Sequence, residues 1–193
     1  PVANAYFGTP SPATVLVNRR PHAVATPASQ TICSGAAITT IVLSGNVTGT
    51  TYNWTRDNDI AVTGIAASGS GDISGALTNT TNAPVTVTFT ITPVANGCSG
   101  TPITATVLVN PTPTVADPAD QVVCNNALTT AVSFTGAVTG TTYNWTNDNT
   151  SIGLAASGSG DIAAFTATNT GTTPVVATIT VTPVANGCTG ASQ

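Results

Sequence analysis

The chain has 193 residues, of which three are basic and seven are acidic, and its formal net charge is −4. So few cations exclude a nucleic-acid-binding surface, because phosphate binding needs clustered Lys and Arg side chains. No apolar run approaches the roughly 20 residues of a membrane helix, so we expect no membrane insertion. The many Val, Ala, Ile and Thr residues, together with Gly and Asn, favour strands joined by tight turns.

The first predicted element in chain order is a strand near the N-terminus. Residues 1–18 read PVANAYFGTPSPATVLVN and parallel the later stretch PVANGCSGTPITATVLVN, residues 93–110. Ala13, Val15 and Val17 therefore occupy the alternating apolar positions of a strand. We interpret residues 1–18 as a donor-like segment, which carries a last strand without a domain in front of it.

The next predicted strand contains the phrase TTYNWT, which occurs twice in the chain. In a strand, Tyr52 and Trp54 fall on one face, and so do Tyr143 and Trp145 in the second copy. We interpret all four as core residues, because large aromatic side chains dominate the burial of a small domain. An exposed platform on which carbohydrate stacks is the alternative interpretation.

A strict alternation of apolar and Thr residues predicts a long strand followed by a hairpin. Residues 85–92 read VTVTFTIT, and the Asn96-Gly97 pair after them favours a type I′ turn into a returning strand. Period-two alternation buries one face of a strand and leaves the other in water. The second copy of this strand presents Val175, Ala177, Ile179 and Val181.

These copies indicate two domains rather than a short repeat. Cys33 and Cys124 are about 91 residues apart, close to the roughly 100 residues of an immunoglobulin-like sandwich. We therefore predict an all-β fold with tandem immunoglobulin-like β-sandwiches, module 1 over residues 19–113 and module 2 over residues 114–193. Module 2 contains no counterpart of the returning strand, ATVLVN, so we predict that its last strand is missing.

Four cysteines allow three pairings. The symmetry of the repeat favours Cys33 with Cys98 and Cys124 with Cys188, each pair within one module. Two such disulfides would each stabilise a domain by about 4 kcal/mol and indicate an oxidising, extracellular compartment. Free thiols or a metal site are the alternative, although no CxxC spacing supports them.

Other candidate sites are weak. Asp57 and Asp59 could offer carboxylates to Ca²⁺, but the second copy retains only Asp148, so solvated loop residues are the alternative. No other metal and no cofactor are expected. His22 is the only histidine, so no repeated Ser-His-Asp or Cys-His centre can be formed, and we expect no enzymatic activity.

The stretches NGCSGTPITATVLVNPTPTV, ICSG and TTYNWT, taken together, carry a family resemblance. The chain resembles the PKD-like, immunoglobulin-like repeats of large secreted surface proteins of Bacteroidetes, including gliding-motility adhesins exported by the type IX secretion system. The resemblance covers nearly the whole chain. It implies PKD-like β-sandwiches at the cell surface with an adhesive or stalk-forming role.

We therefore predict a structural subunit of an extracellular filament or adhesin stalk whose main partner is itself. A sheet that lacks one strand exposes unpaired backbone groups, which an incoming strand can satisfy. We accordingly expect neither the open edge nor the donor-like segment to remain exposed. The expected interface joins Ala13, Val15 and Val17 of one copy to Val175, Ala177, Ile179 and Val181 of the next.

Three alternatives remain at this point. The chain could be a window of a giant tandem array, in which case both of its ends are artificial. Its modules could instead be carbohydrate-binding domains of a secreted enzyme, and surface polysaccharide is a further candidate partner. A receptor-binding tip is less favoured, because the loops of the two copies are nearly identical.

Overall fold

A computed structural model describes residues 12–193, so the first eleven residues of the donor-like segment lie outside the described part. Within residues 12–193 the fold is all-β and has no α-helix, as predicted, with one 3-10 turn at Thr150–Ile152. No helix in this part of the chain has the length and apolar character needed to cross a membrane.

Module 1 contains ten strands. They are β1 to β10, over Ala23–Thr26, Ser29–Cys33, Val42–Gly45, Thr51–Arg56, Val62–Gly64, Ser68–Ser70, Leu77–Asn79, Val85–Ala95, Cys98–Ser99 and Ile103–Asn110. Module 2 contains four strands in the described chain. They are β11 to β14, over Thr142–Asn147, Ser157–Ser159, Ile179–Ala185 and Cys188–Thr189.

The main sheet of module 1 has the strand order β2-β10-β8-β4-β6, with β9 paired to β8. All its pairs are antiparallel except β2 with β10, which run parallel. The alternation in the sequence explains the burial of β8, since Val87, Phe89 and Ile91 are fully buried while Thr90 faces outward. The hairpin at Asn96 has the positive φ that a type I′ turn requires.

A second layer covers this sheet and completes the β-sandwich. It consists of the pairs β1-β3 and β5-β7, with isolated bridges between Ala37 and Ala76 and between Ile41 and Ile73. The core lies between the layers. Its fully buried side chains are Ile41, Val62, Ile73, Leu77, Val87, Phe89, Ile91, Ala105, Val107 and Val109.

Module 2 has one sheet with the order β12-β11-β13-β14. Trp145 of β11 pairs with Val181, as Trp54 of β4 pairs with Ile91 in module 1. Its buried core is smaller than that of module 1. It consists of Val115, Phe134, Trp145, Ile162 and Val181.

The aromatic residues of the TTYNWT phrases lie in the two cores. Trp54 and Trp145 are 8% and 7% exposed, and Tyr52 and Tyr143 are half-buried against the same clusters. A Cβ at Gly69 would collide with the Trp54 ring, which shows how closely the neighbouring strand covers the indole. Neither Trp therefore forms the exposed platform that carbohydrate stacking would require.

Candidate functional site: the open edge of module 2

In module 1, strand β10 is paired on both sides. It runs parallel to β2 and antiparallel to β8, and Val107 lies between Gln30 and Val87 in the two registers. Its inward residues Ala105, Val107 and Val109 are fully buried. Strand β10 is thus an interior strand of the main sheet, covered on its outer side by β2.

In module 2 the two strands that would flank such a strand are incomplete. Strand β13 begins at Ile179, whereas β8 begins at Val85, so residues 175–178 lack the strand structure of their counterparts. Residues 120–124, which match β2, are also not a strand. The predicted strand over residues 175–181 is therefore only partly correct, because a strand needs a hydrogen-bonded partner and this edge lacks one in the described chain.

Gln193 pairs with Val181 at this edge. Val181 N–H donates to the Gln193 carbonyl at 2.8 Å, and Gln193 N–H donates to the Val181 carbonyl at 3.0 Å. Gln193 therefore occupies the position that Ile103 takes opposite Ile91 in module 1. Between Val175 and Val181, no other described residue is paired with the side of the segment that faces away from β11.

An apolar groove lies where β10 would be. We call it the open groove, and it has a volume of about 810 Å³. Val176 on its rim is 80% exposed, whereas Ala177 and Ile179 are half-buried and their counterparts in module 1 are fully buried. Its apolar lining includes Val122, Val123, Phe165, Ala177, Ile179 and Val181.

An asparagine beside the groove also differs between the modules. In module 1 the Asn79 amide donates to the carbonyls of Ala83 and Val109, both at 2.8 Å, and the second of these belongs to β10. Its counterpart Asn169 donates to the Thr173 carbonyl at 2.9 Å, which corresponds to the bond from Asn79 to Ala83. Among the described residues, the Asn169 amide has no counterpart of the bond to Val109. The open groove can therefore offer apolar contacts, backbone pairing and an amide donor to an extended strand.

The described part of the donor-like segment is exposed. Val15 and Val17 are 87% and 85% exposed, and Ala13 is exposed as well. Residues 13–17 are not a strand, contrary to the prediction, because no residue in the described range 12–193 pairs with them. The expectation that both groove and segment are covered is thus not met within one copy.

The predicted disulfides within each module are not those of the structure, which joins Cys33 to Cys188 and leaves Cys98 and Cys124 as free thiols. The reason is the parallel pairing of β2 with β10, which places Cys33 opposite Asn110, at the end of β10. Cys98 lies in the hairpin before β10, and eight residues of strand span roughly 25 Å. A disulfide needs Cα atoms within about 7 Å, so these two cysteines cannot pair.

The candidate calcium ligands have different roles in the structure. Asp57 Oδ1 accepts a hydrogen bond from Thr88 N–H at 2.6 Å, and Asp148 Oδ1 accepts one from Thr178 N–H at 2.7 Å. Asp59 is exposed. Within residues 12–193 no group of three or more His, Cys, Asp or Glu side chains could hold a metal. Asp57 thus fastens a loop to β8, a role that both modules repeat.

This role predicts a difference between two neighbouring carboxylates. Asp57→Ala removes the acceptor of Thr88 N–H and should lower the free energy of unfolding by about 1 kcal/mol. Asp59→Ala, the matched control, should change it by less than about 0.5 kcal/mol. Urea denaturation with and without added CaCl₂ measures both effects. An equal loss of unfolding free energy in the two variants would contradict the structural role. So would a gain in stability on adding calcium that disappears in Asp59→Ala.

Two structural features have roles that local sequence patterns do not reveal. One is the Asp of each SGSGD motif, since Asp72 accepts from Leu43 N–H at 2.8 Å and Asp161 from Phe134 N–H at 2.9 Å. The other is the contact of Asn110 with the module 2 hairpin, where its amide donates to the Asn186 carbonyl at 2.9 Å. The available signal was the repetition of Asp72 as Asp161 and of Asn110 as Asn18, but it does not reveal their partners.

The comparisons with known proteins identify the domain of module 1. No curated protein matches the chain. The family model described as a PKD-like domain matches residues 30–113, which include strands β3 to β10 and most of β2. A PKD-like domain and a disulfide fit an extracellular protein. Residues 30–113 are therefore a PKD-like domain with an immunoglobulin-like β-sandwich fold.

Proposed function

We propose that this protein is a structural subunit of an extracellular bacterial surface filament or adhesin stalk. In this proposal modules 1 and 2 are tandem copies of one domain, and residues 13–18 of one subunit complete module 2 of the next. The subunit has no catalytic role. The PKD-like domain at residues 30–113 supports the structural class. The location rests on the resemblance of the sequence motifs to secreted surface proteins of Bacteroidetes.

One observation carries the proposal. Residues 13–18 read ATVLVN, identical to residues 105–110 of β10, and β10 fills in module 1 the place that is open in module 2. The β10-β8 register therefore transfers directly to the open groove. In the proposed contact, this register sets Ala13 opposite Ile179, Val15 opposite Ala177 and Val17 opposite Val175.

The energetics favour this pairing. The consecutive exposed side chains of Val15, Leu16 and Val17 form an apolar patch that water solvates poorly. Burial of each Val contributes roughly 1.5–3 kcal/mol, and each new backbone hydrogen bond contributes about 1 kcal/mol. The unpaired edge at residues 175–178 is satisfied in the same step.

The positions of strand and groove specify the kind of assembly. The donor strand adjoins module 1, where Asn18 Nδ2 donates to the Asn96 carbonyl at 3.0 Å and Arg20 Nε donates to the Ser99 carbonyl at 3.1 Å. The groove belongs to module 2. An interface between two different surfaces repeats head to tail and excludes a symmetric dimer, and it produces an open filament when the rotation between subunits does not close a ring.

Deletion of residues 1–17 tests the proposal and retains Asn18 at the hairpin. We expect the full chain to form filaments by electron microscopy and to sediment as large species. The deleted chain should be monomeric with unchanged circular dichroism. Filaments that persist after the deletion would refute strand donation. A full chain that remains monomeric at high concentration would favour a longer tandem array, in which a following segment of the same chain covers the groove.

A further inference from the structure

The disulfide of the structure crosses the junction between the two modules. It joins the end of β2 in module 1 to the β13-β14 hairpin of module 2, with 5.6 Å between the Cα atoms of Cys33 and Cys188. The same junction holds a polar contact, since Asn110 is paired with Cys33 and its amide donates to Asn186, two residues before Cys188. Asn110, the last residue of β10, thus contacts both the strand that carries Cys33 and the hairpin that carries Cys188.

Half of the same junction is present at the start of module 1. Asn18 donates to the Asn96 carbonyl, as Asn110 does to Asn186, and Cys98 follows Asn96 by two residues. In both places the hairpin backbone also lies similarly close to the segment that enters the module. A Cβ at Gly100 would collide with the carbonyl of Pro21, and a Cβ at Gly190 with that of Pro113. Cys98 therefore occupies in this half-junction the position that Cys188 occupies in the complete one.

The other half is present in module 2. Cys124 corresponds to Cys33 of the ICSG stretch and lies beside the open groove. Cys98 is half-buried and Cys124 is exposed, and both are free thiols. The two free cysteines thus correspond to the two members of a second junction like that of Cys33 and Cys188.

We propose that Cys124 of one subunit forms a disulfide with Cys98 of the next, so that each strand-donation contact becomes covalent. This proposal rests on the proposed function. In the register of β2 with β10, a donated strand places Asn18 beside Cys124, and Asn18 already contacts the hairpin that holds Cys98. Asn18 would thus lie between Cys124 and the Cys98 hairpin as Asn110 lies between Cys33 and the Cys188 hairpin, but the two cysteines would belong to different subunits.

The reaction needs an oxidant of the disulfide class. Oxidised glutathione accepts two electrons and two protons from the two thiols and is released as two molecules of reduced glutathione, while one S–S bond forms between the subunits. The thiolate attacks the oxidant first, and the exposed Cys124 is the accessible attacker. The second thiol then displaces the remaining glutathione.

The experiment uses the full chain, assembled with oxidised glutathione and quenched with N-ethylmaleimide, on non-reducing denaturing gels. We expect a ladder of dimers, trimers and larger species that collapses on reduction. Cys98→Ser and Cys124→Ser should each form filaments by electron microscopy and show no ladder. An equal mixture of the two variants should stop at the dimer, because it contains one Cys124 thiol on one kind of subunit and one Cys98 thiol on the other.

The outcomes separate this proposal from strand donation. Filaments of the unaltered chain without a ladder would overturn the disulfide and leave the proposed function intact. Dimers formed by Cys98→Ser or by Cys124→Ser alone would show like-with-like pairing and would also overturn it. The absence of both filaments and ladder would overturn both proposals. Mass spectrometry of the dimer from the mixture should identify a Cys124–Cys98 peptide pair.

Discussion

Val15→Asp is expected to abolish filament assembly and leave the subunit folded. Val107, the counterpart of Val15 in β10, is fully buried, so the aspartate would enter an apolar slot between the two flanking segments. An unpaired carboxylate in such a place costs several kcal/mol, and each 1.4 kcal/mol is a factor of ten in affinity. We therefore expect a loss of at least about 10³-fold in subunit affinity. The fold should be unchanged, because Val15 is exposed in the single chain.

Thr14→Asp is the matched control for this variant. It introduces the same charge one residue earlier, and alternation along a strand turns its side chain to the opposite face. Its counterpart Thr106 is only half-buried in β10, so assembly should weaken by about tenfold at most. Sedimentation velocity over a range of concentrations measures both affinities. Equal losses for the two variants would show that charge on the segment, rather than filling of the groove, controls assembly.

Extending the chain after Gln193 by the residues TATVLVN is expected to fill the open groove within one subunit. Gln193 is already hydrogen-bonded to Val181, so the added residues continue the register without a linker. The gain from two buried valines and new backbone bonds is partly offset by the entropy of ordering seven residues. A net gain of about 2 kcal/mol would raise the Tm of module 2 by on the order of 10 °C. Assembly should cease, because the groove is occupied.

The control for the extended chain carries TATDLVN instead. The aspartate stands at the position of Val15, so the added strand should remain outside the groove and the Tm should return to that of the original chain. Differential scanning calorimetry and electron microscopy give the two readouts. An extension that raises the Tm equally with valine and with aspartate would argue against a groove specific for this strand. Filaments formed by the valine-extended chain would argue against donation.

Local patterns in the sequence determined the three longest strands of module 1, β4, β8 and β10. The alternation over residues 85–92 appears as β8, the Asn96-Gly97 pair as the hairpin, and the YNWT phrase as β4 and β11 with buried indoles. These features depend on neighbouring residues, since side-chain period and turn dihedrals act over a few positions. The relation between residues 13–18 and β10 was also visible, because it is an identity of sequence.

Only the tertiary structure decided what depends on pairs of distant residues. The parallel pairing of β2 with β10 places Cys33 at the far end of the sandwich from Cys98, and the approach of the module 2 hairpin supplies Cys188 instead. Repeat symmetry could not distinguish a disulfide within a module from one between modules, since both conserve the spacing. Strand structure at residues 175–178 likewise depended on a partner, because the hydrogen bonds that define a strand belong to two segments and not to one.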